Sequence, residues 1–145
     1  MDWREARLGR IFCAAFEHGE DINQGLLRLA SEANLEAAFV IVLGALGRGR
    51  MVLGPKESVL PPTPMWHLFE EGREIVAVGS IFRQGEGHFL HLHAAAGRAE
   101  STLTGCLRVE CQVFLTAEAL ILEVCGAGAA KVKDEAGFGL LRFGG

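Results

Sequence analysis

The stretch Gly87–Cys106 has the sequence GHFLHLHAAAGRAESTLTGC, and its alternation of apolar and polar residues decides the fold. Consecutive side chains of a β-strand point to opposite faces of the sheet. Leu92 and Ala94 therefore point one way. His91 and His93 point the other way. The pattern predicts a strand that turns one apolar face to the core and presents two imidazoles on its opposite face.

The next segment, Cys106–Leu115, alternates in the same manner. If the two strands are neighbours, their apolar rows share the core and their polar rows share the opposite face. Cys106 then lies on the same side of the sheet as His91 and His93. The apolar row consists of Leu107, Val109, Cys111, Val113 and Leu115, and the polar row of Cys106, Arg108, Glu110 and Gln112.

Two imidazoles and one thiolate form a ligand set that suits zinc with a fourth position left open. The predicted metal ligands are therefore His91, His93 and Cys106. The alternative is that the histidines are solvated or paired with carboxylates, because a cluster becomes a site only if the fold brings its members together. His88 falls on the apolar side of the alternation, so we interpret it as a strand-entry residue and not as a ligand.

Composition predicts one domain that spans residues 1–145. A chain of 145 residues that is 50% hydrophobic and 22% charged can bury a core without disulfide bonds. Its formal net charge of -4 gives no general attraction to phosphate backbones. Binding to DNA would therefore need a local basic patch and would be weak.

The cysteines and the N-terminus indicate a cytoplasmic protein. The four cysteines lack CxxC spacing, and the first ten residues carry charges throughout in place of a secretory signal. A reducing compartment and free thiols are expected. No apolar run is long enough to cross a bilayer, so a membrane-spanning segment is not expected.

The remaining segments predict a mixed α/β (α+β) fold with a mostly antiparallel sheet and one main helix. Asp21 is a suitable N-cap for that helix, because apolar residues follow it at helical spacing. Glycines predict a hairpin at residues 47–50, and Thr116–Glu118 is predicted to join two strands. The other predicted strands are Arg7–Phe16, Glu36–Leu46, Glu74–Phe82 and Ala119–Cys125, and Phe138–Phe143 is predicted to form a short terminal element.

The triplet Arg48-Gly49-Arg50 shares its core with the AT-hook, a motif that enters the DNA minor groove. The AT-hook places proline after the second arginine, whereas this chain has Met51 there. We therefore interpret the two arginines as part of a solvated turn.

Seven short segments in this order resemble the PPC domain, the plant and prokaryote conserved domain, which also forms the body of plant AT-hook nuclear-localised proteins. The most specific part is His-x-His followed by a segment like Gly-Gly-His-Leu. The matching segments are Gly19–Asp21, Leu43–Leu46, Val78–Ile81, Leu90–Ala94, Thr104–Leu107, Thr116–Ile121 and Gly137–Leu141.

The resemblance implies a compact domain that assembles as a homotrimer. In prokaryotic members, the two strand histidines and the histidine of the Gly-Gly-His-Leu segment can bind a divalent metal. Here Thr104 and Cys106 replace the first glycine and that histidine, so the third ligand would be a thiolate. A thiolate keeps zinc chemistry and excludes magnesium and calcium, although a variant without metal stays open. The AT-hook extension of the plant proteins is not expected.

Three functions follow from these features. The first is a trimeric metal-binding domain with a DNA-associated or regulatory role. The second is a zinc-dependent, hydrolase-like enzyme, in which Glu110 would act as a base and Glu86 or Glu118 would support the site. The third is an interaction module in which His91, His93 and Cys106 are structural.

Overall fold

A computed structural model describes residues 1–135 and 137–144 of the chain, and these contain eight strands and one helix. This content of strands and helix agrees with the predicted fold, a large sheet with one main helix. Their bounds are β1 Arg7–Glu17, α1 Ile22–Glu32, β2 Ala37–Pro55, β3 Pro64–Phe69, β4 Arg73–Gln84, β5 Gly87–Arg98, β6 Ser101–Cys125, β7 Ala129–Lys133 and β8 Gly139–Phe143.

The sheet is mostly antiparallel and curls into a ring of four strands. Strand β2 pairs with both β4 and β6, and β5 pairs with the same two strands from the other side. Strand β3 extends the sheet beside β2, and β1 pairs with β6. A parallel bridge between Arg83 and Ala130 joins β7 to β4, which makes the sheet mixed.

The core lies on the inner face of this ring, where the alternation places the apolar side chains. Leu92 of β5 and Val40 of β2 are fully buried there. Helix α1 adds its apolar stripe to the same core and packs against β5 and β6. The helical residues of that stripe are Ile22, Leu26 and Ala30.

Asp21 caps the helix as predicted and also fixes it to β6. One carboxylate oxygen accepts a hydrogen bond from the backbone N–H of Gln24 at 2.9 Å, which satisfies a donor at the first turn. The other oxygen accepts from the backbone N–H of Cys111 at 2.9 Å. A single side chain therefore sets both the start of α1 and its position on the sheet.

The predicted hairpin at residues 47–50 is wrong, because β2 runs without interruption from Ala37 to Pro55. Gly49 serves a packing role in that strand. A Cβ atom at this position would lie 2.5 Å from Cζ of the buried Phe69 ring. The glycine therefore makes room for an aromatic side chain of β3 and does not turn the chain.

The predicted break at Thr116–Glu118 is also wrong, because these residues lie within β6. The strand bends without ending, since Glu110 and Leu115 adopt positive φ angles of 58° and 63°. Such bulges shift the alternation of the side chains. Leu107, Cys111 and Val113 are buried as predicted, whereas Val109 and Leu115 of the same predicted row are exposed.

One side of the ring exposes a continuous apolar surface, which we call the outer apolar face. Its members come from β2, β4 and β6, and cross-strand pairing makes them neighbours. Leu43 lies opposite Val76, and Ile41 lies opposite both Val78 and Leu120. The large exposed side chains of this face are Phe39, Leu43, Val76, Val78 and Leu120.

None of the helices in the described part of the chain combines the length and the apolar character that crossing a membrane requires.

Candidate metal centre

Strand β5 carries His91 and His93 on its outer side, and its pairing with β4 fixes their positions. His91 lies opposite Ser80, and His93 lies opposite Val78. Between them, Gly79 allows a close approach of the two strands, because a Cβ atom there would lie 2.3 Å from the carbonyl oxygen of His91. Because Gly79 has no side chain, the backbone of β5 that carries the two histidines can pack closely against β4.

Strand β6 brings Cys106 to the same place. It lies opposite His93 in the β5–β6 ladder, so the thiol and the imidazole share one face. Gly105 lets β2 approach from the other side, because a Cβ atom there would lie 2.3 Å from the carbonyl oxygen of Val52. The ligand atoms of His91, His93 and Cys106 all lie within 4.8 Å of one another. The convergence predicted from the alternation is present.

The two histidines contact each other directly. Their Nε2 atoms are 3.0 Å apart, and their rings meet edge to face. Burial is the largest cause of a lowered pKa for His91, followed by repulsion from His93 and then from Arg108. A lowered pKa favours the neutral imidazole, which is the form that binds a metal ion.

Cys106 is the most enclosed of the three residues, with 4% of its surface exposed. Burial raises the pKa of its thiol above the ordinary value. Two groups act in the opposite direction: the positive charge of Arg108 and a hydrogen bond from the backbone N–H of Leu92. The thiol is therefore protonated at neutral pH until a cation replaces its proton.

The donor set fits a borderline-soft ion such as zinc. Two ring nitrogens and one sulfur are ligands that zinc prefers, whereas magnesium and calcium require oxygen. Tetrahedral zinc with bonds of about 2.0–2.1 Å would hold two nitrogens about 3.3 Å apart. The observed 3.0 Å between the two Nε2 atoms is close to that separation. The two imidazoles are therefore spaced for joint coordination of one ion.

Glu110, the predicted general base, is held in an ion cluster with two arginines. Its carboxylate accepts hydrogen bonds from Arg48 at 2.7 and 2.9 Å and lies 3.5 Å from Arg50. The hydrogen bond from Arg48 is the main cause of its lowered pKa. Arg48 also pairs with Glu70. The cluster keeps Glu110 ionised and occupies both arginines of the triplet that shares its core with the AT-hook.

The other residues that the sequence singled out lie outside the cluster of three ligands. His88 places Nε2 2.7 Å from the carbonyl oxygen of Leu35, in agreement with its interpretation as a strand-entry residue. Glu118 is exposed on the outer apolar face opposite Leu43. Glu86 lies in the turn between β4 and β5.

A cavity of about 680 Å³ opens beside the cluster, and the sequence alone did not reveal it. His93, Cys106 and Arg108 form its polar side. The rest of the lining is mostly apolar and includes residues of the proline-rich loop after β2, Trp66 and Phe138. The clustering of four prolines next to a tryptophan was the available signal, but nothing in the sequence placed them over β6.

These features define a class of small, single-helix β domains with a histidine pair on one central strand. Residues 4–125 match the Plants and Prokaryotes Conserved (PCC) domain, also called PPC, and the chain belongs to this family. The family and the fold predicted from the seven segments are thus confirmed.

Solved structures share the fold at low identity. A metal-containing protein from Archaeoglobus fulgidus superposes with a TM-score of 0.84 at 20% identity, covering 97% of this chain and 98% of that chain. A plant- and prokaryote-conserved protein from Pyrococcus horikoshii gives the same TM-score and identity over 98% and 97%. A suspected DNA-binding protein from Ralstonia eutropha JMP134 gives 0.75 at 16% identity over 91% and 90%.

One curated relative is much longer than this chain. The bifunctional protein GlmU of a Synechococcus strain is 34% identical over 107 residues, which is 72% of this chain. The match spans 15% of that relative's length.

Proposed function

We propose that this chain is a zinc-binding PCC-domain protein that acts as a homotrimer in a regulatory role. The observation that carries the proposal is the convergence of His91, His93 and Cys106, whose ligand atoms come within 4.8 Å of one another from two paired strands. Bound zinc would act as a Lewis acid at the edge of the cavity. The metal-containing relative from Archaeoglobus fulgidus supports a metal at this fold.

A zinc-dependent hydrolase is the second candidate, and the cavity beside His93 and Cys106 favours it. Hydrolysis also needs a base to take a proton from the attacking water. Within the described parts of the chain, the residues that line the cavity include no carboxylate, and Glu110 is engaged by Arg48 and Arg50. These observations favour ligand binding over hydrolysis as the role of the metal.

Zinc content tests the proposed site directly. We expect near-stoichiometric zinc in the purified, tag-free protein after reconstitution, measured by elemental mass spectrometry. His91→Ala should remove it, because two remaining ligands bind zinc much more weakly than three. His67→Ala is the matched control, since His67 is half-buried on β3 and lies outside the cluster. Wild-type protein without zinc, or full zinc in His91→Ala, would refute the proposal.

A role near DNA would depend on a partner protein. Relatives from Ralstonia eutropha and Bacteroides thetaiotaomicron are described as suspected DNA-binding proteins, which motivates the association. This chain carries a net charge of -4, and Arg48 and Arg50 are paired with glutamates. Direct contact with phosphates would therefore be weak and sensitive to salt.

The outer apolar face supports the proposed homo-oligomer. Soluble monomers rarely expose a contiguous apolar surface that joins several strands, and an interface between identical subunits would bury it. The trimeric number itself rests on the resemblance to the family. His93 lies opposite Val78, so the metal site borders this face. Assembly and metal binding are therefore expected to influence each other.

A charge on the outer apolar face should dissociate the trimer. Val76 is 58% exposed and lies opposite Leu43 of the same face and opposite Ala95 of β5. We expect Val76→Lys to shift the mass in light scattering from trimer to monomer, because an interface that buries an unpaired ammonium is strongly destabilised. Val132→Lys, at a 51% exposed valine of β7, should leave the trimer intact. Monomeric wild-type protein, or an unchanged trimer in Val76→Lys, would contradict the assignment.

A further inference from the structure

The cavity beside the candidate metal centre has the size and surface of a small-molecule site. Its volume of about 680 Å³ lies within the range of about 300–1,000 Å³ that is typical of such sites. Most of its lining is apolar and includes Pro62, Pro64, Trp66 and Phe138, which together we call the apolar wall. A flat, hydrophobic ligand body would find its contacts on this wall.

Arg108 is the charged residue of this lining, and its guanidinium is free. Among the described residues, no carboxylate or other acceptor forms a hydrogen bond or an ion pair with it. The arginines of β2 differ, because Arg48 and Arg50 are neutralised by Glu110. An unpaired guanidinium on the wall of an apolar cavity has five N–H donors available for a ligand.

We infer that this cavity binds a small organic carboxylate with an apolar, ring-sized body, and that Arg108 is the residue that holds the carboxylate. A guanidinium matches the geometry of a carboxylate and forms two parallel hydrogen bonds with it. The apolar wall would contact the apolar body of the ligand. The absence of a lining carboxylate among the described residues means that no fixed negative charge opposes the anion.

The inference extends the proposed function and rests on it in part, because His93 and Cys106 belong to both the cavity and the metal site. A cation at the ligand cluster would add positive charge on the same side of the cavity as Arg108. Zinc should therefore strengthen carboxylate binding, while Arg108 and the apolar wall should retain some affinity without it.

A monoanion is the better match than a phosphate monoester. In the zinc-free protein the lining supplies a single positively charged side chain, Arg108, whereas a phosphate monoester carries a charge of about -1.5 to -2 at pH 7. The apolar wall likewise disfavours a small, fully hydrated ion such as acetate. The predicted order of affinity is benzoate first, followed by phenyl phosphate, with acetate and the neutral benzyl alcohol last.

Benzoate is the probe for this inference, and Trp66 is the reporter. The chain contains two tryptophans, so Trp3→Phe leaves Trp66 as the sole indole that can respond in the cavity. Titration of the trimer, with and without zinc, is followed by Trp66 fluorescence and by calorimetry. We expect saturable benzoate binding that is stronger with zinc. Zinc content is measured on every sample.

Arg108→Gln should weaken the binding of benzoate at least about tenfold, because the charge-assisted hydrogen bonds from the guanidinium to the carboxylate are lost. Arg28→Gln makes the same change of charge at an exposed position on α1 and should leave binding unchanged. Both variants should keep the zinc of the wild type. Equal benzoate affinity in Arg108→Gln and wild type, or no saturation at all, would overturn the inference while zinc content still stands as evidence for the metal site.

Two further outcomes separate the proposals. Protein that takes up no zinc on reconstitution and still binds benzoate through Arg108 would refute the proposed metal function and leave the carboxylate site in place. A preference of the zinc-free protein for phenyl phosphate over benzoate would overturn the assignment of a carboxylate.

Discussion

Cys106→Ala is expected to lower the affinity for zinc at least about 100-fold. Loss of a residue that merely supports a metal ligand typically costs 10–100-fold, so loss of the sulfur ligand itself should cost no less. Competition with a coloured chelator measures the change. Cys13→Ala is the matched control, because Cys13 is a free, exposed cysteine on β1. Undiminished affinity in Cys106→Ala would show that the thiol is not a ligand.

Cys106→His gives the complementary result, because the family resemblance places histidine at this position. The imidazole would enter the cavity that opens at this residue, so metal binding should survive with a changed ligand set. In the cobalt-substituted wild type we expect thiolate-to-cobalt charge-transfer absorption, and in Cys106→His this absorption should vanish while the visible bands of bound cobalt remain. Charge-transfer absorption that persists in the variant would contradict the assignment.

Gly79→Ala is expected to destabilise the domain by about 1–3 kcal/mol. The loss is larger if β4 and β5 cannot move apart to accommodate the new methyl group. A Cβ atom at this position would lie 2.3 Å from the carbonyl oxygen of His91 and 2.9 Å from Cα of Leu92. Both atoms belong to the backbone of β5, so no side-chain rotation relieves the clash. Urea denaturation of the metal-free protein measures the loss.

Gly97→Ala is the control in the same strand pair. The nearest atoms to its Cβ would be 3.9 Å away, which is ordinary contact. Its free energy of unfolding should change by no more than about 0.5 kcal/mol. Similar free energies of unfolding for Gly79→Ala and Gly97→Ala would mean that the close approach of β4 and β5 at Gly79 does not contribute to the stability of the domain.

The sequence predicted the convergence of His91, His93 and Cys106 better than it predicted the strands that carry them. Alternation placed His91 and His93 on one face, and the alternation of the next strand added Cys106. This inference needs only the two-residue period near the crossing of β5 and β6, where the ladder is regular. Further along β6 the two-residue period fails, because Glu110 and Leu115 adopt positive φ angles. Neither residue is a glycine, so the sequence gives no sign of these bulges.

Glycine was the least reliable signal, because it has more than one physical use. Gly49 lies within a strand, where it makes room for Phe69, although its surroundings suggested a turn. Gly79 also lies within a strand, where it permits the close approach of β4 to β5. Arg108 appeared in the predicted polar row with Cys106. Its role in the cavity depends on the proline-rich loop, whose position over β6 is a long-range contact.

The pairing of β1 with β6 has a consequence for how the chain reaches its native state. Phe16 lies opposite Ala117, and Arg7 lies opposite Cys125, so these hydrogen bonds join residues about one hundred positions apart. During synthesis, β1 can pair with β6 only after residues 116–125, the C-terminal part of β6, have left the ribosome. Pairings at such separation close slowly, because the loop entropy is lost before the contacts form. The nascent domain therefore passes through a period in which β1 is an unpaired, partly apolar strand.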